Sequence, residues 1–444
     1  MPARPRARRS GATAPAAAVR PVRVLAGRAF LHGRLQPIEI GLDDEGRIVR
    51  VARSVPGGDR TDLGERILLP AATDLHVHLR EPAPEPAVES FASGTEAAAL
   101  GGIATVGEMP NGEPPTTTVE RLEEKAARAR GRLAVDVVLF AALLPDVDVG
   151  ALGRRAGAFK LYLSPTTGVA KAPGPEEVRR LLAQVEPTGL AVSVHAEDPR
   201  RFPARPPARS LDEWSGARPI DAEASAVAMV ADAPPGLRLH LAHVTAPSVA
   251  DAAVKRGMSF EATPHHLLLA ADGSGDTRRK VNPPLRSEAD RAALWERFRT
   301  GTVPIVASDH APHAVGAKDR PFPDAPSGVP GVETMLPLLL ARVRLGDLPL
   351  PVLLAAACDR PARWLGLPQG RIAIGHRANL LAVDFRDVRP IRAERLATAC
   401  RWTPFEGWEA IRPSHHFRDG ETIVEDGVFV GSRVGRVVRP EYAR

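Results

Sequence analysis

The chain has only two cysteines in 444 residues, Cys358 and Cys400, far apart and outside any Cys-x-x-Cys pattern. That scarcity excludes a disulfide framework and a thiolate zinc site, and it fits the reducing cytosol. Long apolar runs are missing too: Pro, Arg or Asp interrupts the hydrophobic stretches well short of the roughly 20 residues a bilayer requires. A membrane-spanning class is therefore excluded, and a cytoplasmic location is expected. No Gly-x-Gly-x-x-Gly follows a strand-like run, which removes the support for a Rossmann sheet. Acidic residues are absent from residues 1–23, a segment that holds six arginines. The formal charge of +6 thus belongs to this segment, the remainder is neutral, and no nucleic-acid partner is expected. Residues 1–21, rich in Ala, Pro and Arg and lacking both apolar periodicity and a secretory h-region, read as a disordered basic tail.

What is present is the composition of a globular protein, 44% hydrophobic and 25% charged. Between residues 22 and 69, short β-prone pieces (Val22 to Leu25, Ile38 to Leu42, Ile48 to Ala52, Ile67 to Leu69) alternate with turn clusters such as Pro56-Gly57-Gly58-Asp59. Gly370 to Asp384 and Thr422 to Val430 have the same character, with Arg371 to Gly375 read as part of a strand. Residues 22–69 and 370–444 are therefore expected to form the two parts of one small β-sandwich, the second ending in a C-terminal tail.

Residues 70–369 alternate strands with helices. Apolar runs occur at Leu69 to Leu75, Ile103 to Met109, Val135 to Ala142, Ala158 to Leu163, Leu190 to Val194, Leu237 to Ala242, Ser259 to Ala262 and Val303 to Ala307. Helical patterns include Thr118 to Arg130, Glu176 to Val185, Pro247 to Lys255 and Glu288 to Arg299, the last led by Ser287 as a cap. Eight buried strands with intervening helices predict an α/β fold, a (β/α)8 barrel of the TIM type.

The polar residues fall where those strands end. His76, His78 and Arg80 follow the first, and strand alternation places them on one face. Asn111 follows the second, Lys160 lies in the fourth, His195 follows the fifth, His243 follows the sixth, and Asp309 and His313 follow the eighth. The C-terminal rim of such a barrel gathers residues distant in sequence into one site. Four imidazoles and a carboxylate suit zinc or a similar first-row divalent ion, and five ligands exceed one tetrahedral site. Two ions need an anionic bridge. Lys160, set in an apolar run, has its ammonium disfavoured by desolvation; as a neutral amine it can add carbon dioxide to give a carbamate with an oxygen for each metal.

Asp74-Leu75-His76-Val77-His78-Leu79-Arg80-Glu81-Pro82, Met109-Pro110-Asn111, Phe159-Lys160-Leu161-Tyr162, Ser308-Asp309-His310-Ala311-Pro312-His313 and Pro326 to Thr334 together resemble the dihydroorotases of the amidohydrolase superfamily. Trp402-Thr403-Pro404-Phe405-Glu406-Gly407 extends the likeness, which covers roughly residues 22 to 430. The resemblance implies His76, His78 and Asp309 on one metal, His195 and His243 on a second, and carboxylated Lys160 bridging both, with Asp309 also relaying a proton. It implies Arg80, Asn111, Asn282 and His313 as substrate-binding residues, and a closing loop at Pro165-Thr166-Thr167-Gly168 in which either threonine is the contact. His265 and His266 match a family pattern without belonging to the two-metal set.

The implied activity is the reversible interconversion of N-carbamoyl-L-aspartate and (S)-dihydroorotate in de novo pyrimidine (UMP) biosynthesis. A hydantoinase-like or allantoinase-like cyclic amidohydrolase is the alternative enzyme, and an inactive scaffold for aspartate transcarbamoylase the alternative of another class. Homodimerisation or association with aspartate transcarbamoylase is the implied partnership. Ala83, Gly112 and Asn379 depart from the pattern without removing a ligand, the first two beside the expected carboxylate pocket.

Overall fold

The computed structural model describes residues 20–31, 34–82, 88–431 and 433–441. Most of the expected basic tail, and Ala83, lie outside the described residues. Eight parallel strands follow one another around the barrel in chain order: Ala72–Val77, Ile103–Glu108, Asp136–Ala142, Ala158–Tyr162, Val192–His195, Leu239–Leu241, Ser259–Ala262 and Ile305–Val306. The ring closes where Val77 bridges His310 and the His78 N–H donates to the His310 carbonyl at 2.8 Å. The strands are buried almost throughout, as a barrel covered by helices requires.

The outer helices start where capping chemistry places them. Thr118 Oγ1 accepts from the Arg121 N–H at the head of Val119–Ala129, and Ser287 Oγ accepts from the Asp290 N–H at the head of Glu288–Arg299. Each such cap contributes about 1 kcal/mol. The helices Pro175–Val185 and Pro247–Lys255 begin with proline in the first turn, where its missing N–H costs no hydrogen bond.

The two ends of the chain meet in one eight-stranded sheet. Arg23–Leu31, Arg34–Leu42, Ile48–Ala52 and Asp59–Pro70 pair with Leu380–Val383, His415–Arg418, Glu421–Glu425 and Val428–Phe429, the join being Leu380 opposite Pro70. Period two divides Leu380–Val383 between two cores: Leu380 and Ala382 pack with Leu25, Ile40 and Phe417, whereas Leu381 and Val383 pack against the barrel.

Two expectations change in detail. Leu68 and Leu69 belong to this sheet, since they pair with Ala382 and Leu381, and the first barrel strand begins at Ala72. Arg371 to Gly375 forms a turn between the left-handed Gly370 and Gly375, closed by the His376 N–H to the Ala373 carbonyl, which leaves Ile374 70% exposed. Asn379 uses both halves of its amide, donating to Gln369 Oε1 at 2.7 Å and accepting from the Asp419 N–H at 2.9 Å; an ionised aspartate could not make the first of these bonds.

Candidate metal centre and substrate cavity

The first strand ends at Val77, so His78 and Arg80 lie past it, and Arg80 reaches the site through a left-handed turn (φ 57°). That turn is held from below: the Leu79 N–H donates to Glu108 Oε2 at 2.7 Å, and Glu108 is paired with buried Lys125 at 2.7 Å. His243 (φ 41°) and Asp309 (φ 44°) adopt the same backbone region. Non-glycine residues pay a steric cost there, and such strain concentrates at functional sites.

His76, His78 and Asp309 form a buried cluster of ligand atoms. Asp309 Oδ1 lies 3.4 Å from Nε2 of each histidine. The opposite ring nitrogens are already committed: His76 Nδ1 donates to Glu261 Oε1 at 2.8 Å, and His78 Nδ1 donates to Asn111 Oδ1 at 2.7 Å. Both Nε2 atoms therefore carry lone pairs aimed at Asp309. Burial, reinforced by the neighbouring Lys160, lowers His76 to about 4, so the ring is a neutral ligand at physiological pH.

Across the barrel, His195 Nδ1 lies 2.9 Å from His243 Nε2. His195 Nε2 donates to Glu197 Oε2 at 2.9 Å, and Glu197 is buried in a pair with Arg218. His243 Nδ1 is buried with no partner among the described residues. Lys160 is fully buried in the barrel floor, its Nζ 3.3 Å from His76 Nε2 and 3.3 Å from Ser193 Oγ, and burial lowers it to about 8. The structure thus brings the six expected ligands to one barrel mouth, four of them imidazoles and one a lysine easily made neutral.

Above them the cavity is lined by Arg80, Asn111, Tyr162, Thr166, Thr167, Asn282, Ser327 and Gly328. Asn111 Oδ1 is taken by His78, which turns its amino group to the cavity. Asn282 is held similarly, its Oδ1 accepting from Trp214 Nε1 at 3.2 Å. His266 braces that segment, its Nε2 donating to the Pro283 carbonyl at 2.9 Å, while His265 is buried against it. Both threonines of the expected closing loop face the cavity, and Gly168 at φ 71° brings that loop onto the Gly112 carbonyl, where a Cβ would lie 2.4 Å from the oxygen.

His313 is half-buried beside the cavity residues Arg80 and Ser327, its Nε2 3.5 Å from an Arg80 guanidinium nitrogen. Its Nε2 donates to the Ser327 carbonyl at 2.9 Å, and burial and the Arg80 charge lower the ring to about 3.

Sequence reasoning missed Glu261, Glu197 and Tyr162. Glu261 joins His76 to His240, with its second oxygen 2.9 Å from His240 Nε2. The signal was available, because Phe260-Glu261-Ala262 is a charged residue in an apolar strand, as Lys160 is.

A family profile described as Dihydro-orotase-like matches residues 65–165. A protein of Halobacterium salinarum named dihydroorotase is 38% identical over 430 residues, spanning 94% of this chain and 100% of its own. Another of that name from Methanosarcina acetivorans is 35% identical, over 90% of this chain and 91% of its own. Among solved structures, the L-hydantoinase (dihydropyrimidinase) of Arthrobacter aurescens superimposes with a TM-score of 0.85 at 25% identity, covering 94% of this chain and 99% of that one.

Proposed function

The chain belongs to the dihydroorotase family, and from that premise we propose that its barrel mouth interconverts N-carbamoyl-L-aspartate and (S)-dihydroorotate in pyrimidine biosynthesis. It is a cyclic amide hydrolase of the amidohydrolase type. The observation that carries the choice of substrate is the meeting of Arg80, Asn111 and Asn282 in the cavity that holds the His76–His78–Asp309 cluster. A guanidinium and two amide donors are what a carboxylate away from the reacting bond requires.

The donor set fits zinc or a similar divalent ion: the second ring nitrogens of His76, His78 and His195 are held by Glu261, Asn111 and Glu197, and His243 Nδ1 is a buried nitrogen without a partner among the described residues. His76, His78 and Asp309 would hold one ion, and His195 and His243 a second. Lys160, whose neutral amine adds carbon dioxide and releases a proton, would supply the bridging carbamate. Bound there, the ions would supply Lewis acidity, making water more acidic and polarising the ring carbonyl.

The chain's own residues do the rest. Asp309 Oδ1 faces the histidines, which leaves Oδ2 to take the proton from attacking water and pass it to the ring nitrogen as the C–N bond breaks. Arg80, Asn111 and Asn282 fix the carboxylate so that the ring carbonyl meets Asp309, and the Thr166–Thr167 loop excludes water. In reverse, the carbamoyl nitrogen attacks the carboxyl group, and water leaves. Ring closure turns a dianion into a monoanion and consumes a proton, so the ratio of ring to open form rises about tenfold per unit fall in pH near neutrality.

No helix of the described residues is long and apolar enough to cross a membrane. A cytoplasmic location, and a homodimer or a complex with aspartate transcarbamoylase, complete the reading. The test is to incubate zinc-loaded protein with carbamoyl aspartate at mildly acid pH. Appearance of dihydroorotate supports the proposal; turnover of hydantoins or allantoin alone overturns it.

A further inference from the structure

Tyr162 lines the cavity and carries a hydroxyl that the reading above does not use. Its side chain is 2% exposed, it lines the cavity, and its Oη has no hydrogen-bond partner among the described residues. A buried donor without a partner is costly to keep. Removing it by a change to phenylalanine would cost the folded chain nothing in packing, so the group calls for a reason outside folding.

Its position supplies one. Tyr162 and Lys160 are two residues apart on the fourth strand and so share a face, with Tyr162 about 6.6 Å further toward the cavity mouth. Lys160 touches His76 at the level of the metal ligands. Tyr162 stands one layer above, its ring centroid 6.4 Å from that of His195, and Arg80 and Asp309 are among the charged groups whose fields reach its hydroxyl. This upper layer is where Arg80 and Asn111 meet the part of the substrate remote from the reacting bond.

We propose that the Tyr162 hydroxyl donates a hydrogen bond to the substrate carboxylate, as a donor alongside Arg80 and Asn111. The inference rests on the dihydroorotase reading. A bond to a charged acceptor in a dry site is worth roughly one to two orders of magnitude in affinity.

The experiment compares wild-type and Tyr162→Phe holoenzyme in steady-state kinetics with dihydroorotate, alongside thermal melts without substrate. The expected result is a KM raised about 10- to 100-fold, kcat within about threefold, and a Tm equal to or above that of the wild type. A KM within about twofold of wild type overturns the proposal. So does a fall in kcat at unchanged KM, which would put the hydroxyl on the reacting carbonyl, and so does a lowered Tm, which would give it a structural partner. A wild-type enzyme that leaves dihydroorotate intact overturns the functional reading itself, a result seen before any substitution is compared.

Discussion

Asn111 Oδ1 accepts a hydrogen bond from His78 Nδ1 at 2.7 Å, so one amide orients a ring of the candidate metal cluster with its oxygen and offers its amino group to the cavity. On the proposed function, substrate recognition and ligand orientation would be coupled at this residue.

The coupling can be separated by mutation. Asn111→Asp keeps an acceptor for His78 but replaces the amino group by a charge that repels a carboxylate. It should retain metal and raise KM by at least about 100-fold. Asn111→Ala should raise KM and also weaken metal retention about 10- to 100-fold. Metal analysis after dialysis against a chelator, together with KM, checks both; equal metal loss in the two variants would contradict the coupling.

Glu261 carries a second orientation. It accepts from both His76 and His240, and His240 Nδ1 lies 2.9 Å from Ser259 Oγ, a hydroxyl that can donate or accept. In Glu261→Gln, His240 can therefore change tautomer and take a hydrogen bond from the new amide, leaving His76 fixed. Glu261→Gln should lose little metal affinity and Glu261→Ala about 10- to 100-fold, read by competition with a zinc-binding dye. Equal losses would contradict this account.

The carbamate proposed on Lys160 is tested by labelling. Wild-type protein given carbon-13 bicarbonate and zinc should show a carbamate carbon resonance that Lys160→Ala lacks, and the variant should lose both metal and activity. A fully active Lys160→Ala would contradict the bridging role.

Glu197 sets a pH signature. Burial alone would raise its carboxyl, but the Arg218 guanidinium and the His195 ring outweigh burial and hold it well below the usual carboxylate range. Its folded pKa is thus below the unfolded value of about 4.3, so its stabilisation is complete above that pH and lost as pH falls through the folded value. Glu197→Gln should cost about 3 kcal/mol at neutral pH, with the gap in Tm narrowing below about pH 4. A gap independent of pH would contradict the assignment.

Much of this was legible in the sequence because the signals were local. Strands with continuous apolar runs, and helices led by Thr118 and Ser287, need only period and capping to be read. His76, Lys160, His195 and Asp309 stand out as polar residues in or beside apolar strands. The remainder depends on contacts between distant segments. His313 follows the eighth strand in sequence, yet its Nε2 is fixed by the Ser327 carbonyl from a distant segment. Arg80 reaches the cavity through a left-handed turn that Glu108 holds, where strand alternation gave the right face for another reason. Ile374 looked like a strand residue, and two left-handed glycines make its segment a turn.

The central claim is that this cavity selects a ring bearing a carboxylate. Dihydroorotate and dihydrouracil share the ring and differ in that group alone, so the decisive measurement is the ratio of their kcat/KM values on the zinc-loaded enzyme. Recognition by Arg80 and Asn111 predicts a preference for dihydroorotate of at least about 1000-fold, two charge-assisted contacts of about 2 kcal/mol each. Equal rates, or a preference for dihydrouracil, would contradict it.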